Sequence, residues 1–304
     1  MLSPDDVAAL VDASAVDGLR RLSGGASRET WSFTADGRRL ILRRDPPGST
    51  KGGMLMEAAL LRAAADGGVP VPEVVAAGDD WIVMEHVDGQ TIARKILRDD
   101  EYAAARPRLA RQCGGILAAL HRIRLDVTPL DEPEPLDTWR ETLDTLGQPH
   151  PAFELAFRWL AENRPASTRR AVVHGDFRNG NFIVGPDGVR AILDWELAHI
   201  GDPIEDLGWL CVNAWRFGVR NKPVGGFGEY DELVTAYEGA GGGTVDRDAL
   251  LWWETLGTLK WGIMCIVQAT AHTSGAIRSV ELAAIGRRVC ENEWDLMQML
   301  PGAP

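Results

Sequence analysis

The chain has 304 residues, of which 45% are hydrophobic and 25% charged, an ordinary globular composition with enough apolar material for a core. This length exceeds that of a usual single domain and predicts two lobes or two small domains. The formal net charge of −12 argues against a nucleic-acid partner, because neutralising phosphates requires a basic face.

The first third of the chain predicts a β-rich lobe. A helix is expected from Ser3 to about Val11, because Ser3 can cap it and a proline follows at the first helical position. Strands are predicted at 30–35 and 38–44, separated by Asp36-Gly37, a dipeptide typical of a hairpin turn.

A short helix and a second strand pair complete this lobe. Residues 56–65 are rich in Ala and Leu and predict a helix, whereas 73–77 and 81–87 predict two strands. We therefore expect residues 1–87 to form a small, mostly antiparallel sheet with one internal helix.

The rest of the chain, residues 88–304, changes character to helical spacing of apolar residues. Helices are predicted at 102–123, 153–163, 229–238 and 250–271. A β insertion is predicted at 171–173, 182–184 and 189–193. The sequence thus predicts an α+β molecule with two lobes and a cleft at a connector near residues 87–91.

Several features bear on compartment and membrane contact. No CxxC pair occurs, so we expect buried, reduced thiols at Cys113, Cys211, Cys265 and Cys290. The N-terminus lacks the basic and apolar regions of a signal peptide, and charged residues interrupt the apolar segment 250–271. We expect a soluble cytoplasmic protein without a membrane partner.

The chemistry is carried by one polar loop, residues 174–181, which reads His-Gly-Asp-Phe-Arg-Asn-Gly-Asn. Phosphoryl transfer needs a carboxylate for the attacking hydroxyl and hard oxygen ligands for Mg²⁺. Asp176 can meet the first need, and Asn181 with Asp194 the second. Each residue alone would usually be a turn former, but their joint occurrence favours catalysis. A metal-hydrolase cluster is disfavoured, because further histidine ligands are lacking.

The motif resembles that of the aminoglycoside phosphotransferase and choline kinase family, which has a protein-kinase-like fold. The match includes residues 174–181, Asp194-Trp195-Glu196, Gly201-Asp202-Pro203 and Asp206-Leu207. Within this family the chain is most similar to the branch related to kinase domains of some acyl-CoA dehydrogenases. The resemblance implies a small antiparallel-sheet N-lobe and a larger, mainly helical C-lobe.

The resemblance also implies residue roles. Asp176 would be the catalytic base, with Asn181 and Asp194 as the Mg²⁺ ligands. His174 would brace the loop through its ring nitrogens, and Asp206 would anchor the loop backbone from the following helix.

A phosphate-covering loop is predicted around residues 22–31. Gly24 and Gly25 would let the backbone approach the phosphates of ATP, and Ser23 and Ser27 could donate hydrogen bonds. A plain turn is the alternative, but the position before a strand pair favours the phosphate loop.

A cation on the third strand should contact the nucleotide phosphates and pair with a Glu from the lobe's helix. We predict Arg43 for the cation and Glu57 for its partner, with Arg44 and Lys51 as alternatives to Arg43. Strand alternation places Arg43 and Arg44 on opposite faces, so only one of them can point into the cleft.

The strand that leads into the connector is predicted to hold the adenine. Backbone groups of Glu85 and Val87 are candidates for contacting the adenine edge, with Met84 beside the pocket. The alternative for Met84 is an ordinary core position.

The predicted activity is transfer of the γ-phosphoryl group of ATP to a small-molecule hydroxyl. The acceptor could be an aminoglycoside-like antibiotic, a hydroxy acid or a hydroxyacyl-CoA. The sequence does not determine the acceptor site, but its nearest polar or aromatic contributors would be Arg178, Trp195, Glu196 and Arg216. Buried core positions are favoured for the tryptophans of the second half. The alternative function is a catalytically silent nucleotide-binding regulatory module. A monomer or weak homodimer is expected.

Overall fold

The structure is a computed structural model that describes residues 2–22, 28–46, 53–124, 130–166 and 169–300. The strands are β1 Val16–Arg21, β2 Glu29–Ala35, β3 Arg38–Arg44, β4 Val74–Ala77, β5 Trp81–Glu85, β6 Ala171–Val173, β7 Phe182–Gly185, β8 Gly188–Ile192 and β9 His199–Gly201. The helices are α1 Pro4–Val11, α2 Met54–Asp66, α3 Ala93–Arg98, α4 Arg106–Leu120, α5 Pro135–Leu146, α6 Pro151–Glu162, α7 Ile204–Cys211, α8 Tyr230–Tyr237, α9 Arg247–Thr273, α10 Val280–Ile285 and α11 Val289–Met299.

The N-terminal elements form a five-stranded antiparallel sheet in the order β1-β2-β3-β5-β4. Alternation along the strands divides their side chains between two layers. Leu42 and Val83 face a cluster that includes Val7 of α1, whereas Ile82 and Met84 join the main core together with α2. The predicted antiparallel sheet with one internal helix is confirmed.

The turn between β2 and β3 explains why this hairpin could be predicted from the sequence. Asp36 has φ 45° and Gly37 has φ 83°, and Ala35 pairs with Arg38 across them. A two-residue hairpin turn of type I′ requires positive φ at both central residues, and Asp-Gly tolerates this conformation well.

The C-terminal part is organised around α9, a 27-residue helix that contacts α5, α6, α7, α10 and α11. Its apolar side chains, such as Leu256, Leu259 and Ile263, are buried in the main core. This confirms the prediction of a buried helix at 250–271. Within the described part of the chain, no helix is long and apolar enough to cross a membrane.

The β insertion forms two small antiparallel sheets beside the helices. β6 pairs with β9, and β7 pairs with β8. Gln90, just after the five-stranded sheet, exchanges two backbone hydrogen bonds with Val184 of β7, at 2.9 and 3.0 Å. The connector is therefore tied directly to the hairpin that follows the 174–181 loop.

Several elements differ from the sequence-based expectation. β1, β9 and the helices α3, α5, α10 and α11 have no counterpart among the predicted elements, whereas α7 is the helix that the resemblance implies at Asp206. The predicted helix at 102–123 starts later, at Arg106, because Tyr102 belongs to a separate 3-10 turn. Three of the cysteines are buried and free as expected, but Cys290 is exposed, so the prediction of burial was wrong there.

Candidate active site

The 174–181 loop leaves β6 through a tight bend at Gly175. This residue has φ 77°, and a Cβ on it would lie 2.4 Å from the carbonyl oxygen of Leu197. Only glycine fits both constraints, since L residues rarely adopt this conformation and the neighbouring backbone leaves no space. The bend places Asp176 directly after a buried strand.

Donors surround the Asp176 carboxylate. Its Oδ1 accepts hydrogen bonds from Arg178 Nε at 2.9 Å and from Trp209 Nε1 at 2.8 Å. Its Oδ2 accepts one from Asn181 Nδ2 at 2.6 Å. The carboxylate is therefore held in one orientation, and Oδ2 retains a lone pair for a further partner, because each carboxylate oxygen accepts two hydrogen bonds. The side chain keeps 14% of its surface exposed and can be reached from solvent.

Asn181 and Asp194 are brought together by the hairpin between them. The backbone N–H of Leu193 donates to the carbonyl of Asn181 at 2.8 Å, which places Asp194 beside the loop. Asp194 has φ 67°, a left-handed conformation that Asp tolerates better than most residues. Its side chain is 39% exposed, so its carboxylate faces open space rather than the core.

These two residues fit a magnesium site. Because the Asn181 amide nitrogen is committed to Asp176, its Oδ1 is the atom left for a cation. In the part of the chain that the structure describes, no group of three His, Cys, Asp or Glu could hold a metal. Mg²⁺ in nucleotide sites is bound by one or two carboxylates together with phosphates and water, so a sparse protein donor set suits it.

Asp206 at the start of α7 holds the loop backbone. Its carboxylate accepts the backbone N–H of His174 at 2.8 Å and of Gly175 at 3.0 Å. Burial favours a higher pKa for Asp206, but the hydrogen bond and charge of His121 outweigh it and hold the pKa below its usual value. His121 in turn contacts the hydroxyl of Tyr237 at 2.9 Å. The predicted backbone contacts of Asp206 are present.

His174 braces both sides of the loop. Its Nδ1 accepts the N–H of Asp176 at 3.2 Å, and its Nε2 lies 3.0 Å from the carbonyl of Leu193. This pattern requires the tautomer with a proton on Nε2. Complete burial lowers the pKa of His174, against the opposing charges of the nearby aspartates, so a neutral ring is favoured.

Arg43 of β3 donates to Asp194 at 3.1 Å and to Glu57 of α2 at 2.5 Å. Glu57 is buried and also accepts from Arg28, which in turn bonds Asp45. The predicted ion pair between Arg43 and Glu57 is therefore formed. Two carboxylates from different parts of the chain fix the position of its guanidinium.

Arg44 points the other way. It pairs with Glu29, its direct neighbour across β2 and β3, at 2.7 and 2.8 Å. The two arginines thus occupy opposite faces, as strand alternation predicts. Lys51 and the predicted phosphate-loop residues Ser23, Gly24, Gly25 and Ser27 lie outside the described residues. The loop falls in the connection between β1 and β2, where Leu22 N–H donates to the Thr30 carbonyl at 2.8 Å.

At the connector, Met84 is buried in the main core, and its strand neighbour Glu85 pairs through its side chain with Arg38 at 2.6 Å. The backbone N–H of Glu85 donates to Glu73. Among the described residues, the N–H of Val87 has no hydrogen-bond acceptor. Of the predicted adenine contacts, Val87 N–H is therefore the donor that remains open to a ligand.

The contacts of Trp209 and Lys260 with the loop were not predicted from the sequence. Trp209 donates to Asp176, and the ammonium of Lys260 lies 4.6 Å from the Trp209 ring centre and 3.2 Å from the Gly175 carbonyl. The helical spacing of Asp206 and Trp209, three residues apart, could have placed both on the loop-facing side of α7. Nothing in the sequence indicates that Lys260, more than eighty residues after the loop, reaches it.

The residues suggested near the acceptor are dispersed. Arg178 lies at the site and stacks over Trp215, 4.4 Å from its ring centre. Trp195 is fully buried, Glu196 approaches Arg28 at 3.6 Å, and Arg216 is paired with Glu254 at 2.8 Å. Five tryptophans of the second half are buried as expected, at 209, 215, 252, 253 and 261, whereas Trp294 is exposed.

Comparison with known proteins places this geometry in a family. Acyl-CoA dehydrogenase family member 10 from Mus musculus is 29% identical over 215 residues, covering 64% of this chain and 20% of that protein. The chain spans between 20% and 30% of the length of the curated relatives it matches. The predicted resemblance to acyl-CoA dehydrogenase-linked sequences is confirmed.

Solved structures share the fold. A choline/ethanolamine kinase family protein from Mesorhizobium loti has a TM-score of 0.68 at 23% identity, covering 98% of this chain and 95% of that one. A spectinomycin phosphotransferase, solved with ADP and spectinomycin, has a TM-score of 0.71 at 14% identity and covers 98% of both chains. The predicted two-lobed fold is confirmed. The model of the phosphotransferase enzyme family matches residues 18–242, and the chain therefore belongs to that family.

Proposed function

We propose that the protein transfers the γ-phosphoryl group of ATP to a hydroxyl of a small molecule with the help of Mg²⁺. The observation that carries this proposal is the convergence of Asp176, Asn181, Asp194 and Arg43 within one chain of contacts. Asn181 lies 2.6 Å from Asp176, and Arg43 lies 3.1 Å from Asp194 although 151 residues separate them in sequence.

Asp176 is the proposed catalytic base. Its donors leave an acceptor position on Oδ2, to which an incoming hydroxyl can present its proton as the oxygen attacks the γ-phosphorus. The bond from that phosphorus to the β,γ-bridging oxygen breaks, and ADP leaves. Trp209 and Arg178 hold the carboxylate in place during this step, which limits the reorganisation needed in the transition state.

Asn181 and Asp194 are the proposed ligands of Mg²⁺, which when bound offsets negative charge on the nucleotide phosphates. Arg43 is the proposed phosphate contact, since its guanidinium already lies beside Asp194 and offers further N–H donors. Glu57 orients Arg43. We assign the adenine edge to backbone groups of Glu85 and Val87 beside Met84, and a phosphate-covering role to Ser23, Gly24, Gly25 and Ser27.

Each of the two lobes has its own role in this proposal. We assign residues 1–87 to the nucleotide-binding lobe and 88–304 to the lobe with the catalytic residues and the acceptor site. The solved relative that contains ADP and an antibiotic supports a cleft with two adjoining substrates. An aminoglycoside-like antibiotic, a hydroxy acid or a hydroxyacyl-CoA would each supply the required hydroxyl.

Calorimetry with Mg·ATP and an assay of ATP consumption over a panel of alcohols test this function. Wild-type protein should bind Mg·ATP and consume it with at least one acceptor. Asp176→Asn should lower kcat by about 10²–10⁴-fold while binding Mg·ATP normally, because the base is lost and the nucleotide contacts remain.

Two outcomes would contradict the proposal. Absence of Mg·ATP binding would rule out a nucleotide-dependent enzyme. Binding without consumption across the panel, unchanged by Asp176→Asn, would favour the catalytically silent regulatory module instead.

A further inference from the structure

A cavity of about 890 Å³ opens beside the 174–181 loop. It is bounded by Gly180 of that loop, by Thr91–Arg98 around α3, by the segment after α7 and by the start of α11. None of the residues assigned to the nucleotide, including Arg43 and Asp194, lines it. The cavity is therefore distinct from the proposed phosphate site.

The charge of this cavity is opposite to that of the whole chain. Four arginines line it, against two carboxylates, in a protein with a formal net charge of −12. The arginines come from three separate segments of the sequence: Arg94 and Arg98 from α3, Arg220 after α7 and Arg288 before α11. Their convergence depends on the tertiary structure and not on a basic run.

The two carboxylates already have partners. Glu291 accepts from Arg288 at 3.1 Å, and Asp295 accepts from the Asn213 side chain at 2.9 and 3.0 Å. Within the described residues, Arg94, Arg98 and Arg220 make no salt bridge. Arg94 and Arg98 thus line the cavity with their donors available, whereas the charge of Arg220 also acts on Asp295. Guanidinium forks match carboxylate and phosphate oxygens.

The cavity also reaches the loop that carries Asp176, at Gly180. Gly180 precedes Asn181, whose amide contacts Asp176, and a Cβ on Gly180 would lie 2.8 Å from Arg178, which also donates to Asp176. Ala214 on the cavity wall adjoins Trp215, over which Arg178 stacks. A ligand held at the arginines can therefore extend past Gly180 toward Asp176.

We infer that this cavity binds the phosphate acceptor through an anionic group, a carboxylate or a phosphate, while the acceptor's hydroxyl reaches Asp176. The inference rests on the proposed function. It commits to an anionic hydroxy compound and disfavours polycationic antibiotics, because a cluster of unpaired guanidinium groups repels amines. It identifies Arg94, Arg98 and Arg220 as specificity-determining residues.

The test compares hydroxycarboxylates of two to eight carbons with their primary amides, and with hydroxyalkyl phosphates of the same lengths. Each pair keeps the hydroxyl and changes only the anionic group. Product is measured by ³¹P NMR at saturating Mg·ATP. The anionic members should exceed the amides in kcat/KM by about 10-fold or more, as charge-assisted hydrogen bonds imply. Comparing the hydroxycarboxylates with the hydroxyalkyl phosphates shows whether the cavity prefers a carboxylate or a phosphate.

The same series is run on Arg94→Gln/Arg98→Gln, with Arg62→Gln/Arg111→Gln as the matched control. Arg62 and Arg111 are also exposed helical arginines, but they lie outside the cavity. The cavity variant should lose about 10-fold in kcat/KM for the anionic acceptor and keep Mg·ATP affinity within 2-fold. The control should change neither.

If no compound is phosphorylated, anion binding decides the question. Thermal shifts are measured with Mg·AMP-PNP bound and each carboxylate or phosphate at millimolar concentration. A shift in wild type that the cavity variant loses supports the inference. Equal shifts in both proteins, or amides that match the anions in the assay, would overturn it. Failure of Mg·ATP binding would instead reject the proposed function.

Discussion

The 174–181 loop and the arginine-lined cavity meet at Gly180 but are stabilised in opposite ways. Around Asp176, Asp206 and His174, protein donors and acceptors hold the loop from several directions, most of them from buried residues. Around the cavity, Arg94 and Arg98 are exposed and lack ion-pair partners among the described residues.

This difference follows from the two tasks. A group that takes part in many turnovers gains from a fixed position, because reorganisation adds to the barrier. A group that recognises a ligand must keep donors available, and a guanidinium already paired with the protein has fewer to offer. The comparison predicts that substitutions around the loop lower kcat or kcat/KM strongly. Substitutions at the cavity should instead change kcat/KM in a way that depends on the acceptor.

After Asp176→Asn, the largest expected effect comes from Arg43 on β3. Arg43→Ala should lower kcat/KM for ATP by about 100-fold, because it removes the proposed phosphate contact and leaves Asp194 without its 3.1 Å ion pair. Steady-state kinetics with varied ATP measures this loss.

Arg44→Ala is the matched control for that experiment. Arg44 is the next residue on β3 but faces Glu29 on the opposite side of the sheet. Its removal should change kcat/KM for ATP by less than about 3-fold, since the Arg44–Glu29 pair lies on the face of the sheet away from the proposed phosphate contact. Equal losses in both variants would show that the loss does not depend on which face of β3 the arginine occupies, and would contradict the proposed phosphate contact of Arg43.

A smaller effect is expected at Trp209. Trp209→Phe keeps most of the aromatic packing but deletes the N–H that lies 2.8 Å from Asp176 Oδ1. We expect kcat to fall about 10-fold with KM for ATP unchanged, because the base loses a positioning contact and the nucleotide loses none.

Trp253→Phe provides the comparison for that loss. Trp253 is also buried, and its Nε1 has no partner among the described residues. The variant should lose some stability to chemical denaturation through its smaller ring while keeping kcat. If the two variants lost activity equally, general packing and not the hydrogen bond to Asp176 would account for the change.

The smallest expected effect on activity is at the ion pair that lies beneath the cavity, where the expected change is in stability. Arg216 bonds the Cys211 carbonyl and pairs with Glu254 under the segment that lines the cavity. Burial, opposed by Arg216, raises the pKa of Glu254 from 4.5 to about 7. Between these values the folded state binds more protons than the unfolded state, so the contribution of Glu254 to stability falls as pH rises from 4.5 to 7.

Glu254→Gln should remove that slope, a change of about 3 kcal/mol in the free energy of unfolding across this window. Urea denaturation at several pH values measures it. Glu162→Gln, at an exposed carboxylate paired with Arg158, should leave the slope as in wild type. A slope that Glu254→Gln does not alter would show that another group titrates.

Local patterns in the sequence were sufficient for much of the architecture. The Asp36-Gly37 turn, the Ser3 cap of α1 and the apolar period of α9 depend on neighbours in sequence, so they could be predicted and were confirmed. Shorter elements escaped prediction. α3 spans six residues and β9 three, lengths at which apolar periodicity carries little information.

The sequence by itself brought the proposed reacting groups together, because Asp176, Asn181 and Asp194 lie within one loop and one hairpin whose spacing is local. The tertiary structure alone decided what surrounds them. Trp209 and Lys260 reach the loop from α7 and α9, and the cavity arginines come from three distant segments. Such contacts depend on how helices pack against one another, and no periodic pattern within a single segment records that packing.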